Sequence, residues 1–426
     1  MKQNLVISCP ASSRSGYGDH ARDIIYSLIK MDRFNIKVMD QRWGTCPRTE
    51  LENHPDIKAI TMPLGEQMQV QPDVWIQVTV PNEFQPVGKF NIGITAGLET
   101  DRVPAEWIIG MNRMHMNIVP SHHSKVCFEQ TAYTKKDDKG NVIEDIKMQK
   151  PIYTLFEGLD VNVFDKTPKE EIVEIEGMDE IKESFCFLTV GHWLQGDFGQ
   201  DRKDIGGTLK VFLESFKSMQ TRPALVIKTS SATFSVMDKY EMIRKIKHIY
   251  SAYGDISKMP KIYLLHGDLS QQEMNSLYNH PKIKAMISLT HGEGFGRPLL
   301  EFSVTGKPVI VSDWSGHLDF LNTFAFRVPG KVADVHKSVY QKGIIEEGHR
   351  WFYADYGYAS KLIKDVYRKY KKFLEVSRKQ RKFVKDNFTM EEMDKVFASI
   401  IDDSIPKPVE LKLPKLKLPK LEKVNE

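Results

Sequence analysis

The sequence predicts an α/β chain of two halves, each built on a parallel sheet with helices on both faces. Three observations lead there. The chain has 426 residues, more than one typical domain holds. Short runs rich in Val, Ile and Leu alternate with longer amphipathic stretches through most of its length, as strand–helix–strand units require. The alternation weakens over residues 156–183, where Gly158, Pro168 and several acidic residues mark a linker. We therefore expect a first domain over 1–165 and a second over 180–350. Basic helices over 351–403 are expected to pack back on the first domain, followed by a tail over 404–426.

In the first half the apolar runs predict strands at 5–8, 36–39, 74–78, 91–95 and 117–119. A glycine loop, Ser15-Gly16-Tyr17-Gly18, follows the first strand and leads into a periodic helical stretch over 19–30. Helices are also expected over 104–114 and 121–133, and the charged, turn-rich residues 135–141 read as an exposed hairpin or loop insertion. A second series gives strands at 185–191, 224–228, 262–265, 285–289 and 308–312, with helices over 208–219 and 236–253. Ser270 and Glu273 form a capping box for a helix reaching about Tyr278, and Thr389 with Glu392 forms another for a last helix ending near Asp402. The tail repeats Leu-Lys-Leu-Pro-Lys. Its prolines exclude a helix and its lysines a core, so it is expected to be extended and solvated or to touch an anionic partner such as DNA or lipid.

At 41% hydrophobic residues each half can bury a core, and a net charge of +4 is too slight to demand a polyanionic partner. Cys9, Cys46, Cys127 and Cys186 lie far apart, which suits reduced thiols. The opening apolar run is too short for a signal peptide, and nowhere do about 18 apolar residues follow one another. A soluble, cytoplasmic protein is expected. His122 and His123 match no metal-ligand spacing, and no metal is expected.

The informative segment runs Ser288-Leu-Thr-His-Gly-Glu293-Gly-Phe-Gly-Arg-Pro-Leu-Leu-Glu301. A strand ends near Leu289, a glycine loop follows, and Pro298 fits the first turn of a helix. Gly294 and Gly296 let backbone approach a ligand, and the helix start offers unpaired N–H groups that favour phosphate. Glu293 and Glu301 flank that start. Carboxylates repel phosphate but accept hydrogen bonds from hydroxyls, so the pair suits a diphosphate with hydroxyls on either side, as in a nucleotide sugar.

With its glycines between two glutamates, this segment resembles the Glu-x7-Glu signature of the retaining GT-B glycosyltransferases of family 4. The similarity continues through Gly306-Lys-Pro-Val-Ile-Val-Ser-Asp313 and Ser315-Gly-His-Leu-Asp319, and upstream through His266-Gly-Asp-Leu-Ser270, Glu99-Thr-Asp-Arg-Val-Pro104 and Val119-Pro-Ser121. The resemblance implies a GT-B fold, two Rossmann-like domains with a cleft between them. It also implies retaining transfer from a UDP-, GDP- or ADP-sugar to an acceptor hydroxyl, with neither cofactor nor metal. The acceptor stays open among glycan, lipid-linked sugar, protein and hydroxylated DNA base.

By position, the resemblance assigns Glu293 and the backbone of Gly294, Phe295 and Gly296 to the donor sugar and phosphate, and Glu301 to the ribose. Arg202 and Lys203 match the family's Arg-Lys pair, whose lysine neutralises the leaving diphosphate. Lys228 stands where the family often has a lysine beside the base or phosphate. Gly16 and Gly18 lie in a loop used near phosphates and acceptor, and Glu99 faces the cleft on the acceptor side. The chain departs from the pattern at Gly191-His192, where the family has Gly-Arg. Arg297 is the expected source of the missing charge. The rivals are another GT-B enzyme, such as a sugar-nucleotide epimerase or a phosphorylase, and a non-catalytic or nucleic-acid-binding protein that kept the fold.

Overall fold

Residues 2–66, 68–231, 234–321 and 323–407 are described by a computed structural model. The first half contains β1 (Gln3–Cys9), α1 (Gly16–Met31), β2 (Phe34–Asp40), α2 (Pro55–Ile60), β3 (Val74–Val78), β4 (Phe90–Ile94), α3 (Ala105–Arg113), β5 (Met116–Val119), α4 (His122–Gln130), β6 (Ala132–Lys136), β7 (Val142–Lys147) and β8 (Ile152–Thr154). Its six-stranded sheet has the order β2-β1-β3-β4-β5-β8, parallel throughout. Successive side chains of a strand leave on opposite faces. Leu5 and Ile7 accordingly enter one apolar core and Val6 the other. β6 and β7 form a separate antiparallel hairpin at the expected insertion, and they end α4 at Gln130 rather than at Tyr133.

The second half contains β9 (Cys186–Val190), α5 (Ile205–Phe216), β10 (Ala224–Lys228), α6 (Val236–Ser251), β11 (Ile262–Leu265), α7 (Gln271–Asn279), β12 (Ile283–Ser288), α8 (Arg297–Ser303), β13 (Val309–Ser312), β14 (Phe326–Val328), β15 (Gly330–Asp334) and β16 (Arg350–Ala354). Its parallel order is β11-β10-β9-β12-β13-β14. Strand order reverses between β9 and β12, and ligands of open α/β sheets bind outside the carboxyl ends of strands at such a reversal. Both strands are apolar and buried over most of their length, as a sheet covered on two faces requires. The antiparallel ribbon β15–β16 lies outside the sheet.

Three helices close the described chain: α9 (Tyr356–Arg368), α10 (Tyr370–Asn387) and α11 (Met390–Ser404). They do not act as one unit. Ala359, Ile363 and Val366 of α9 and Val384 of α10 join the second half's cores, whereas Met393, Phe397, Ile400 and Ile401 of α11 join the first half's. The chain thus crosses between the halves twice, and the crossings are bonded side by side: Leu159 N to Phe388 O at 2.8 Å and Met390 N to Leu159 O at 2.9 Å. Gly158 permits this, since a Cβ there would lie 2.7 Å from Met390 Cα.

The Ser270–Glu273 capping box is present in full. At Thr389 only half of the expected box forms: its hydroxyl accepts from Glu392 N, but the Glu392 carboxylate turns to Lys395 at 2.7 Å. The Leu-Lys-Pro tail lies outside the described residues from 408 onward. Among the described residues no helix is long and apolar enough to cross a membrane.

Candidate active site

At the strand-order reversal, two loops leave the sheet side by side. One follows β9 and carries Arg202 and Lys203 up to the start of α5. The other follows β12 and carries Glu293 to the start of α8. They are tied together by His291 N, which donates to Arg202 O at 3.0 Å, and by Thr290 Oγ1, which donates to the same carbonyl at 3.2 Å. His291 is itself stacked on Trp351 at 4.5 Å and bonded to Phe352 O, so it braces the loops from beneath. Lys203 Nζ reaches Glu293 Oε2 at 2.6 Å, with both side chains nearly buried at 12% and 7% exposure. Burial opposes the charge on Glu293, but Lys203 and Arg202 outweigh it and hold the carboxyl below its ordinary range. Gly191 faces the Lys203 stem, which a Cβ would meet at 3.2 Å.

The first half closes over these loops. Arg202 is ion-paired with Glu99 across the interface. A Cβ on Gly292 would lie 2.2 Å from Glu99 O, and one on Gly294 would lie 2.0 Å from Ala96 O. Only glycine allows so close an approach of two backbones. Arg14, from the loop before α1, adds a second tie, with Nε 2.7 Å from Asp268 and Nη2 bonded to Leu269 O at 2.8 Å. Gly16 and Gly18, expected in that loop, instead form the first turn of α1, where Gly18 is packed so tightly that a Cβ would lie 2.1 Å from Ser13 O, while Gly16 faces open space. Ser15 caps α1 by accepting from Gly18 N.

Gly296 takes the left-handed conformation (φ 98°) that starts α8, and Pro298 sits in its first turn. Glu301 is buried one turn on. It accepts from Tyr278 Oη at 3.1 Å and faces Arg297 Nε at 3.4 Å. Burial, partly offset by Arg297, pushes the Glu301 carboxyl up to about 7. Arg297, expected to supply the charge missing at Gly191-His192, stands among carboxylates. Its guanidinium donates to Asp23 of α1 at 2.6 Å and lies 3.8 Å from Glu157, so three carboxylates surround it. Burial pushes Glu157 up to about 8.

His192 bonds through Nδ1 to Ser231 O at 2.9 Å, and burial, helped by Arg202 and Lys203, lowers its pKa. Lys228, half-buried, donates to Gly267 O at 2.7 Å and lies over the Phe234 ring at 5.4 Å. His123 is packed edge-on against Trp314. Among the described residues no group of three or more His, Cys, Asp or Glu side chains is placed to hold a metal ion.

The structure thus brings Arg202, Lys203, Glu99 and Glu293 together at the reversal and sets Glu301 with Arg297 one turn further along. Sequence reasoning did not point to Asp23 or Glu157. Both reach Arg297 only through the fold, and no local pattern marks either. Nor did it point to the clasp in which Asp101 accepts from the Arg350 backbone and guanidinium, at 2.9 Å each, tying the 335–350 loop of the second half to the first.

No family model and no curated protein sequence matches the chain. Solved structures do match in shape. A glycosyltransferase from Rickettsia africae ESF-5 has 13% identity and a TM-score of 0.63, over 96% of this chain and all of that one. Sucrose-phosphate synthase from Thermosynechococcus elongatus has 10% identity and a TM-score of 0.62, over 94% and 99%. Anabaena HepE, solved in complex with UDP-glucose, has 12% identity and a TM-score of 0.60, over 94% and 100%. With the two parallel six-stranded sheets, these likenesses give a GT-B fold: two Rossmann-like domains facing each other.

Proposed function

We propose that the chain is a glycosyltransferase that moves a sugar from a nucleotide-sugar donor to an acceptor hydroxyl with retention of anomeric configuration. The observation that supports this best is the buried Lys203–Glu293 pair, held between two loops at the strand-order reversal and faced by Glu99 and Arg202 from the interface. A non-catalytic binder has no need to bury matched charges at that point, where desolvation makes them costly.

In this reading Glu293 takes hydroxyls of the donor sugar, and the backbone of Gly294, Phe295 and Gly296 approaches the phosphates. Glu301, poised near neutrality, accepts from the ribose, with Lys228 and His192 on the nucleotide side. As the bond from sugar C1 to the diphosphate oxygen breaks, Lys203 and Arg202 stabilise the charge that gathers on the diphosphate. Fixed cations already in place cost no reorganisation at that moment. The acceptor oxygen bonds to C1 on the face that the nucleotide leaves. Its proton passes to a diphosphate oxygen, and the nucleoside diphosphate departs. Glu99 and the first turn of α1, with Gly16 and Gly18, border the acceptor. HepE's UDP-glucose makes that donor the first to try, alongside GDP- and ADP-sugars.

The test is release of nucleoside diphosphate from such a panel, with the anomeric configuration of the product read by NMR. Lys203→Ala should lower kcat by roughly 10²-fold while nucleotide binding persists. Glu301→Ala should instead weaken nucleotide binding, read as lost thermal stabilisation by UDP. Wild-type turnover by both variants would refute the assignment.

A further inference from the structure

Resting on the transfer reading, we propose that the His317 imidazole accepts a hydrogen bond from one hydroxyl of the donor sugar, so that the enzyme selects donors bearing that hydroxyl.

The loop after β13 is strained into place. Ser315 has φ 80° and ψ −164°, a conformation nearly confined to glycine, and such strain persists only where surrounding contacts enforce it. The contacts here are to Glu293. Its N–H donates to Ser315 Oγ at 2.8 Å, and its carbonyl accepts from Gly316 N at 3.0 Å. The loop is thereby fixed relative to the residue assigned to the donor sugar. The next residue, His317, leaves the backbone against the glycine turn, where a Cβ on Gly296 would come within 3.1 Å of His317 Cβ.

The ring is fully buried. Nε2 lies 2.8 Å from Ser312 O. A carbonyl only accepts, so Nε2 carries the hydrogen. Burial lowers the pKa and keeps the ring neutral, which leaves Nδ1 a bare lone pair. That atom has no hydrogen-bond partner among the described residues. Buried acceptors are seldom left unmade, because the loss of solvation is not recovered. The ring interacts electrostatically with both Glu293 and Lys203. His317 Cβ and Glu293 Cγ also flank the same turn, at 3.1 and 3.5 Å from a Cβ built on Gly296, so the ring is seated beside the residue assigned to the donor sugar. A phosphate oxygen, which also accepts, cannot complement it. A hydroxyl can.

A purely structural role would rest on the Nε2–Ser312 bond, and two substitutions separate the possibilities. His317→Gln can keep a donor at the Nε2 position while losing the Nδ1 acceptor. His317→Asn does the reverse. Wild type and variants are assayed for kcat/KM with whichever of UDP-, GDP- or ADP-glucose wild type turns over, and with its 2-, 3-, 4- and 6-deoxy forms. Wild type should disfavour one deoxy donor by at least roughly tenfold. His317→Gln should abolish that single preference by lowering the parent donor to the level of the analogue, with melting unchanged, and His317→Asn should preserve it. A second readout uses no variant: the ¹⁵N resonance of His317 Nδ1 should move on saturation with the donor. Full preference retained in His317→Gln, no preference in wild type, or an unmoved resonance would each overturn the assignment. If wild type turns over no nucleotide sugar at all, the transfer reading falls first and this inference with it.

Discussion

Glu157→Gln is expected to stabilise the protein, and by an amount that grows with pH. Glu157 is 7% exposed, and Arg297 at 3.8 Å is too far to donate a hydrogen bond to it. Burial lifts its carboxyl from 4.5 to about 8. Between those values the folded protein holds a proton that the unfolded chain has released, so stability falls as pH rises through the window. Each pH unit in it is worth about 1.4 kcal/mol. Glutamine is neutral and of similar shape, and it escapes this loss. Relative to wild type, Glu157→Gln should gain less than about 1 kcal/mol at pH 5 and about 3 kcal/mol at pH 7, levelling off near 5 kcal/mol above pH 8. Urea denaturation at pH 5, 7 and 8.5, followed by circular dichroism, reads the difference directly. Curves that separate equally at every pH, or a variant weaker than wild type at pH 8.5, would refute the reasoning.

Other outcomes follow from the same geometry. In Gly294→Ala the new methyl would sit 2.0 Å from Ala96 O, so the lobes should fail to close; small-angle scattering should show a larger radius of gyration, with unchanged circular dichroism and at least a tenfold loss of turnover. Ser270→Ala removes the cap of α7 and should cost about 1 kcal/mol in chemical denaturation. Phe397→Ala hollows the first lobe's core from α11 and should cost about 3–5 kcal/mol. Limited proteolysis of that variant should cut within residues 2–150 before it cuts the second lobe.

Much of the fold was legible because both sheets are parallel and buried. A run such as Cys186–Val190 is apolar on both faces and bounded by turns, and that is readable without contacts. β8 and β14, three residues each, are too short to show a period, and β15 and β16 lie outside the main sheets. The helices from 356 onward were legible as helices, but nothing local says which core each one joins. Within the site, the Glu293-to-Glu301 segment announced itself by glycine spacing and Pro298. The environment of Arg297 did not. Its partners Asp23 and Glu157 lie more than a hundred residues away, and an arginine next to a glycine turn looks the same whether phosphate or carboxylate awaits it.

The split allegiance of the terminal helices bears on how the chain is made. Domains generally fold as they emerge from the ribosome, the amino-terminal one first. Here Met393, Phe397, Ile400, Ile401 and Ile405 belong to the core that begins with Leu5. The first lobe to be synthesised therefore lacks part of its interior until Ile405 has appeared, and the second lobe, complete by α10, can reach its native packing while the first still waits.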